Sequence, residues 1–265
     1  RKGAFDLTLF SRTQGTWISL AVDEQPVRLL HQKQKFSDQF IDVLPAYPIV
    51  AEAILGLMQV ATLCLVLRGT PGIGKTYFGS LFAAHLLRMG YHVFYERDNY
   101  AVHLDPNGVA TRYVASSVAW EEGLRVRGLG KQAGMSLYIV DFGVKEPPTP
   151  PRDTEMHTCV ITSSDIKNYK DWKKQLMASL RFFPRPSRND VKEVFVACNP
   201  TSAISEMDER IAVVGLKIRE VVDIEETLTM LQDNVKENYG ELRDEERKGL
   251  LTGSSDGRAR SCIIH

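Results

Sequence analysis

Leu67-Arg68-Gly69-Thr70-Pro71-Gly72-Ile73-Gly74-Lys75-Thr76-Tyr77-Phe78 is the stretch on which the reading of this chain turns. Gly69 to Thr76 satisfies G-x-x-x-x-G-K-[ST] at every fixed position. The context fits as well. The apolar run Thr62 to Leu67 leads in with the length of a buried strand, and Phe78, Leu81, Phe82, His85, Leu86 and Met89 lead out at helical spacing until Gly90 stops the helix. The chemistry explains the spacing. Glycines let the backbone curl so that several N–H groups converge on one anion, and a helix starting near Lys75 adds the positive end of its dipole. Gly69, Thr70, Pro71, Gly72, Ile73, Gly74, Lys75 and Thr76 are therefore expected to cradle the phosphates of a nucleoside triphosphate. Lys75 would reach the β- and γ-phosphates, and the Thr76 hydroxyl would ligate Mg²⁺.

Such a loop needs a partner carboxylate at the end of another buried strand. Ser136-Leu137-Tyr138-Ile139-Val140-Asp141 supplies one, so Asp141 is the expected second metal-site residue. The position after it, where many ATPases place a glutamate that polarises the attacking water, holds Phe142. Hydrolysis must then be slow or use another base. Glu96, at the end of the strand Tyr91 to Tyr95, is the first candidate, with Glu146 and Asp153 on a proline-rich loop behind it. Thr158 to Thr162 reads as a further strand whose following Ser163 would donate a hydrogen bond to the γ-phosphate. The alternative is that Ser163 and Ser164 cap a helix from Asp165. Arg219, after a break at Gly215, is the candidate for neutralising γ-phosphate charge from a C-terminal helical lid, against an ordinary solvated helix arginine.

Composition bounds the rest. The 265 residues are 43% apolar, enough for one large α/β domain, and 33 basic against 33 acidic side chains exclude a surface that is wholly a nucleic-acid or membrane footprint. The basic run Lys167, Lys170, Lys173, Lys174, Arg181, Arg185, Arg188 and Lys192, with Trp172, Phe182 and Phe183 interleaved, reads as a solvated face with aromatics turned inward; contact with nucleic acid is the alternative. Four separated cysteines, Cys64, Cys159, Cys198 and Cys262, spell no zinc or redox motif and fit a reducing compartment, with Cys64 and Cys159 as buried small hydrophobes. The chain opens at Arg1 rather than Met, so its natural start is expected upstream, and no apolar run is long enough to span a bilayer. Cys262-Ile263-Ile264-His265 has the outline of a prenylation box, but with an unusual last residue and only Arg258 and Arg260 upstream it reads as a frayed or truncated end.

Along the chain, residues 1–48 form an N-terminal segment with short strands at Phe5–Leu9 and Thr16–Val22, ending at a breaker, Ala46-Tyr47-Pro48. Residues 49–200 form the nucleotide-binding core. It has a helix over Ile49–Val60, a hairpin of Ala101–Leu104 with Val109–Val114, a helix over Asp165–Leu180, a Pro/Arg loop over Arg181–Arg188 and a short helix over Asp190–Ala197. Residues 201–245 are the helical lid and 246–265 a disordered tail. The fold expected is α/β: a P-loop NTPase of three layers, with a mainly parallel sheet and a C-terminal helical lid.

Three segments, Leu67 to Arg97, Ser136 to Asp141 and Cys159 to Gln175, together resemble the NTPase module of the Crinkler effectors of oomycetes, fungi and other eukaryotic microbes, which are related to retrotransposon-hot-spot proteins. The serine pair followed by Asn168-Tyr169-Lys170-Asp171-Trp172 is the more diagnostic part, and Arg181-Phe182-Phe183-Pro184 echoes the family's Arg/aromatic-Pro segment. The family's lid pattern Gly-Gly-x-Pro-Arg is reduced here to Gly215-Leu216-Lys217-Ile218-Arg219, which lacks the second glycine and the proline but keeps the arginine. The resemblance covers about Ile49 to Asp233. It implies secretion by a microbe and action inside a host cell, often in the nucleus; ATP and Mg²⁺ are the cofactors expected from the loop and Asp141, and host protein or nucleic acid are the expected further partners. It also implies an effector domain after the NTPase, for which this chain ends too soon.

The expected function is therefore ATP binding with slow Mg²⁺-dependent hydrolysis. A hydrolysis-poor nucleotide switch is the alternative, and a small-molecule kinase ranks last because no arginine-bearing insert is visible in the core. The absence of N-K-x-D favours adenine weakly over guanine.

Overall fold

The computed structural model describes residues 18–19, 40–41, 44–59, 64–97, 100–106, 110–113, 136–141, 156–224 and 226–240. Two short strands, β1 (Ile18–Ser19) and β2 (Phe40–Ile41), pair antiparallel. The main sheet has seven strands: β3 (Cys64–Gly69), β4 (His92–Arg97), β5 (Tyr100–Leu104), β6 (Ala110–Tyr113), β7 (Ser136–Asp141), β8 (His157–Ser163) and β9 (Ser179–Phe182). Their spatial order is β6-β5-β4-β7-β8-β3-β9. Pairs β4–β7, β7–β8 and β3–β9 are parallel, while β4–β5–β6 is an antiparallel extension at one side. The fold is thus α/β of the P-loop type, with β8 placed between the strand that enters the loop and the strand that ends in Asp141.

The helices are α1 (Ala46–Met58), α2 (Lys75–Arg88), α3 (Lys170–Leu176), α4 (Arg188–Cys198), α5 (Ile204–Val214), α6 (Ile218–Val222) and α7 (Leu228–Gly240). Buried residues on α1 recur at Tyr47, Val50, Ala51, Ile54 and Met58, the spacing of one helical face. Pro48 does not break this helix. It sits in the first turn, where its missing N–H has no intrahelical partner to lose. Helix α2 ends as the sequence implies: Gly90 takes a left-handed φ of 84°, Gly90 N–H donates to Leu87 O and Tyr91 N–H to Leu86 O, the two bonds of a Schellman cap. On the α2 face of the sheet, Phe78 packs against Tyr47, Phe82 and Phe183 with ring centroids 5.4–5.7 Å apart. The other face is covered by Tyr169 and Trp172, which join Val66, Phe94, Tyr138, Val140 and Val160 in one buried cluster.

Three local expectations change. The helix expected over Asp165–Leu180 is a 3₁₀ turn at Ile166–Asn168 followed by α3, which ends at Met177 in the left-handed conformation (φ 50°). The residues beyond form β9, an edge strand in register with β3, so Arg181 and Phe182 belong to the sheet rather than to a loop. Helix α4 begins at Arg188 instead of Asp190, because Ser187 and Asp190 form a reciprocal capping box. The expected strand Phe5–Leu9, Phe142, Glu146, Asp153 and the tail with Cys262 lie outside the described residues.

The chain divides into two compact units. The first comprises residues 1–68, 75–162 and 168–183, and holds the sheet with α1, α2 and α3. The second comprises residues 69–74, 163–167 and 184–265, and holds α4 to α7 with most of the glycine loop. Among the described residues no helix is long and apolar enough to cross a membrane.

Candidate functional site

Within the sheet unit, α2 opens with Lys75 and Thr76 at the C-terminal end of the parallel strands. The Thr76 hydroxyl donates to Asp141 Oδ1 at 3.3 Å, joining residues 65 positions apart. Asp141 is 4% exposed and Lys75 9%. The second carboxylate oxygen is also held: the Tyr95 hydroxyl, from the adjacent strand β4, donates to Oδ2 at 3.2 Å. Arg97 is the register partner of Asp141 across β4 and β7. Burial pushes the Asp141 carboxyl above its ordinary value. The Arg97 charge, the hydroxyl donors Thr76 and Tyr95, and Lys75 pull the other way. Tyr95 is wholly buried, and burial together with the Asp141 charge raises its phenol well above the usual range, so it stays a donor.

The geometry of α2 makes this packing feasible. Thr76, Gly79 and Ser80 share one helical face, and Ser80 Oγ donates back to Thr76 O at 3.2 Å. A Cβ on Gly79 would lie 2.9 Å from the Tyr95 hydroxyl oxygen and 2.7 Å from Ile161 Cδ1, so only glycine lets the helix approach this closely. A threonine hydroxyl beside a buried carboxylate is a hard-oxygen donor set, the kind Mg²⁺ prefers when phosphates and water complete its octahedron. Thr76 and Asp141 therefore fit the metal expected of them.

Glu96 stands elsewhere. In the β4–β7 register Tyr95 pairs Ile139 and Arg97 pairs Asp141, whereas Phe94 pairs Tyr138 and Glu96 pairs Val140. Register partners share a face and successive residues alternate. Glu96 consequently lies on the Trp172 face of the sheet, opposite to Thr76 and Asp141. Its Oε2 accepts the Tyr138 hydroxyl at 2.6 Å, and the residue is 8% exposed. The structure does not bring the expected base together with the metal pair. Tyr138 is itself raised by burial and by the Glu96 charge.

In the second unit, Gly72 and Gly74 adopt φ values of 79° and 92°, which only glycine takes without strain. Gly72 O accepts the backbone N–H of Arg219 at 3.2 Å, and a Cβ on Gly72 would fall 2.4 Å from Glu220 Oε2. Helix α6 is thus fastened to the loop through Arg219, whose side chain remains exposed. The Glu220 carboxyl is raised by burial, and its buried Oε2 has no hydrogen-bond partner among the described residues. The segment after α6 is pinned by Arg210, a buried guanidinium that donates to Val221 O at 3.0 Å, to Glu226 O at 2.7 and 2.8 Å, and to Asp223 O. Ser163 is the last residue of β8. At the turn that follows, Asp165 Oδ1 accepts the Lys167 N–H at 3.0 Å.

The basic run divides as its sequence suggests, with one exception. Lys170, Lys173 and Lys174 are exposed while Trp172 and Phe183 are buried, but Phe182 is 68% exposed and carries the Arg68 guanidinium 4.2 Å from its ring centroid. Cys159 is buried and Cys64 half-buried, and burial pushes their thiols up to about 12 and about 11. Sequence reasoning missed Tyr95, Arg97, Arg210 and Glu220. The available signal for Tyr95 and Arg97 was their odd spacing on one strand, which puts both on a single face once that face is known to be that of Asp141.

No protein-family model matches the chain, and no curated protein matches it. Among solved structures, the chain is similar to the ORC2 protein of Aeropyrum pernix in its ADPNP–ADP complexes. The match has 12% identity over 94% of this chain and 79% of that one, with a TM-score of 0.38, a likeness too loose to carry an argument.

Proposed function

We propose that the chain binds ATP with Mg²⁺ on the loop Gly69–Thr76 and hydrolyses it slowly. The observation that supports this best is the Thr76–Asp141 hydrogen bond. A loop motif can occur by chance in sequence. A motif whose threonine meets a strand-end carboxylate 65 residues away is the arrangement a Mg²⁺-nucleotide site requires. When bound, Mg²⁺ would supply positive charge against the phosphates of the nucleotide. Lys75 would hold the same phosphates, the loop amides would orient them, and Thr76 and Asp141 would hold the metal. Ser163 and Arg219 are proposed to report the γ-phosphate. The deciding experiment is Mg²⁺-dependent phosphate release from ATP by the parent, Lys75→Ala and Glu96→Gln. Slow release that Lys75→Ala abolishes supports the reading; release that Lys75→Ala leaves intact overturns it.

A second reading, a nucleotide-dependent switch that turns over little, is favoured by one observation: the Glu96 carboxylate is occupied by Tyr138 on the face away from Asp141. Tight ATP binding without phosphate release would select it. The biological setting we propose, an NTPase module of a Crinkler-like secreted effector acting in host cells and their nuclei, rests on the sequence motifs alone. Expressing the tagged chain in a host cell and scoring nuclear against cytoplasmic signal tests it, and exclusion from the nucleus would count against that part.

A further inference from the structure

We infer that Tyr95 is a positioning residue for the metal carboxylate, fixing the rotation of Asp141 so that its Oδ1 faces Thr76. The inference rests on the Mg²⁺-nucleotide reading above and adds to it a residue that no part of the loop motif contains.

The terminal torsion of an aspartate is soft and nearly two-fold, so one hydrogen bond leaves the carboxylate free to swing. Here the two oxygens are held from two different elements, Oδ1 by Thr76 on α2 and Oδ2 by Tyr95 on β4. With both engaged, rotation must break a bond to a buried partner. Tyr95 cannot follow a swinging carboxylate, because its ring is wholly buried and its hydroxyl lies against α2 at Gly79. Gly79 is the telling neighbour. Glycine inside a helix costs about 1 kcal/mol relative to alanine, yet it stands at the one position of α2 between Thr76 and Ser80 where a Cβ would strike the Tyr95 hydroxyl. The helix gives up propensity where the hydroxyl needs room. An apolar Phe at position 95 would fill the same volume and leave Asp141 Oδ2 without this donor inside a protein interior, where a hydrogen bond to a charged group is worth more than one between neutral groups.

Outer-shell partners of metal ligands change metal affinity by 10- to 100-fold when removed. Tyr95→Phe keeps the ring and deletes only the donor. The test is ATP binding by calorimetry across a Mg²⁺ series and in EDTA, on the full chain, for the parent, Tyr95→Phe, Asp141→Asn and the double variant, with melting temperatures measured alongside. Positioning predicts that Tyr95→Phe raises the Mg²⁺ midpoint roughly 10-fold and leaves metal-free ATP affinity unchanged. It also predicts no further rise when Tyr95→Phe is added to Asp141→Asn, because the two act through one carboxylate. An unchanged midpoint in Tyr95→Phe overturns the inference. So does an equal loss of affinity with Mg²⁺ and in EDTA, which marks a merely structural tyrosine. A parent that binds no ATP, or binds it indifferently to Mg²⁺, overturns the nucleotide reading itself and this inference with it.

Discussion

At the C-terminal edge of the parallel sheet two carboxylates stand one register step apart, and each accepts the hydroxyl of a buried tyrosine. Asp141 is held by Tyr95 and Glu96 by Tyr138. Taken singly the pairs look alike. They differ in face: Asp141 lies under α2, where Thr76 and Lys75 arrive from the glycine loop, while Glu96 lies with Phe94 and Val140 on the side covered by Tyr169 and Trp172. One residue of register therefore separates a carboxylate beside the phosphate-binding helix from one built into an aromatic core. The parity of a strand position decides which chemistry an acid can join, and its distance along the strand does not.

Four predictions sharpen or break that contrast. Lys75→Ala should act through the α2 face alone, weakening ATP binding about 100-fold, the range for removing a buried charge partner, with little change in melting temperature; titration calorimetry beside a thermal scan reads both. Tyr138→Phe should do the reverse. It strips a donor from a buried carboxylate, so chemical denaturation should show a loss of about 2 kcal/mol, while ATP affinity stays within about 2-fold of the parent, a shift of under 1 kcal/mol. A large affinity loss in Tyr138→Phe would merge the two faces and break the comparison. Gly79→Ala should cost about 1 kcal/mol net, the overpacking against Tyr95 exceeding the gain in helix propensity; stabilisation by that substitution would show that α2 and Tyr95 are not in close contact. The smallest effect concerns pH. Because burial raises the Asp141 carboxyl, the native state holds its proton at pH values where the unfolded chain has lost it, so nucleotide-free stability contributed here falls as pH rises through the raised value. Asp141→Asn removes that penalty. Its melting temperature should meet the parent's below about pH 4 and exceed it increasingly above, and a gap that closes with rising pH would reverse the assignment.

Much of this was legible in the sequence, for identifiable reasons. The loop, its flanking strand and helix, Asp141 and the Gly90 stop are local patterns, and each falls where the residues put it. The hairpin after β4 was equally clear from Asp105-Pro106-Asn107-Gly108 between two short apolar runs. What failed was less local. Helix α3 stops at Met177, a residue with no sequence reason to turn left-handed, and β9 becomes a strand only because β3 offers an open edge for Ser179 to Phe182. Pro48 read as a breaker because a proline's effect depends on which turn of the helix it occupies. Glu96 was chosen for its place at a strand end, which the sequence shows. Its face depends on the pairing of β4 with β7, which the sequence does not show. Tyr95 was invisible for the same reason.

The most direct test of the whole account is the gain in ATP affinity that Mg²⁺ confers, measured in Asp141→Asn and Glu96→Gln side by side. The account predicts that Asp141→Asn loses most of the gain, about 10- to 100-fold, and that Glu96→Gln keeps it. A gain that survives in Asp141→Asn and vanishes in Glu96→Gln would place the metal on the other face of the sheet and contradict it.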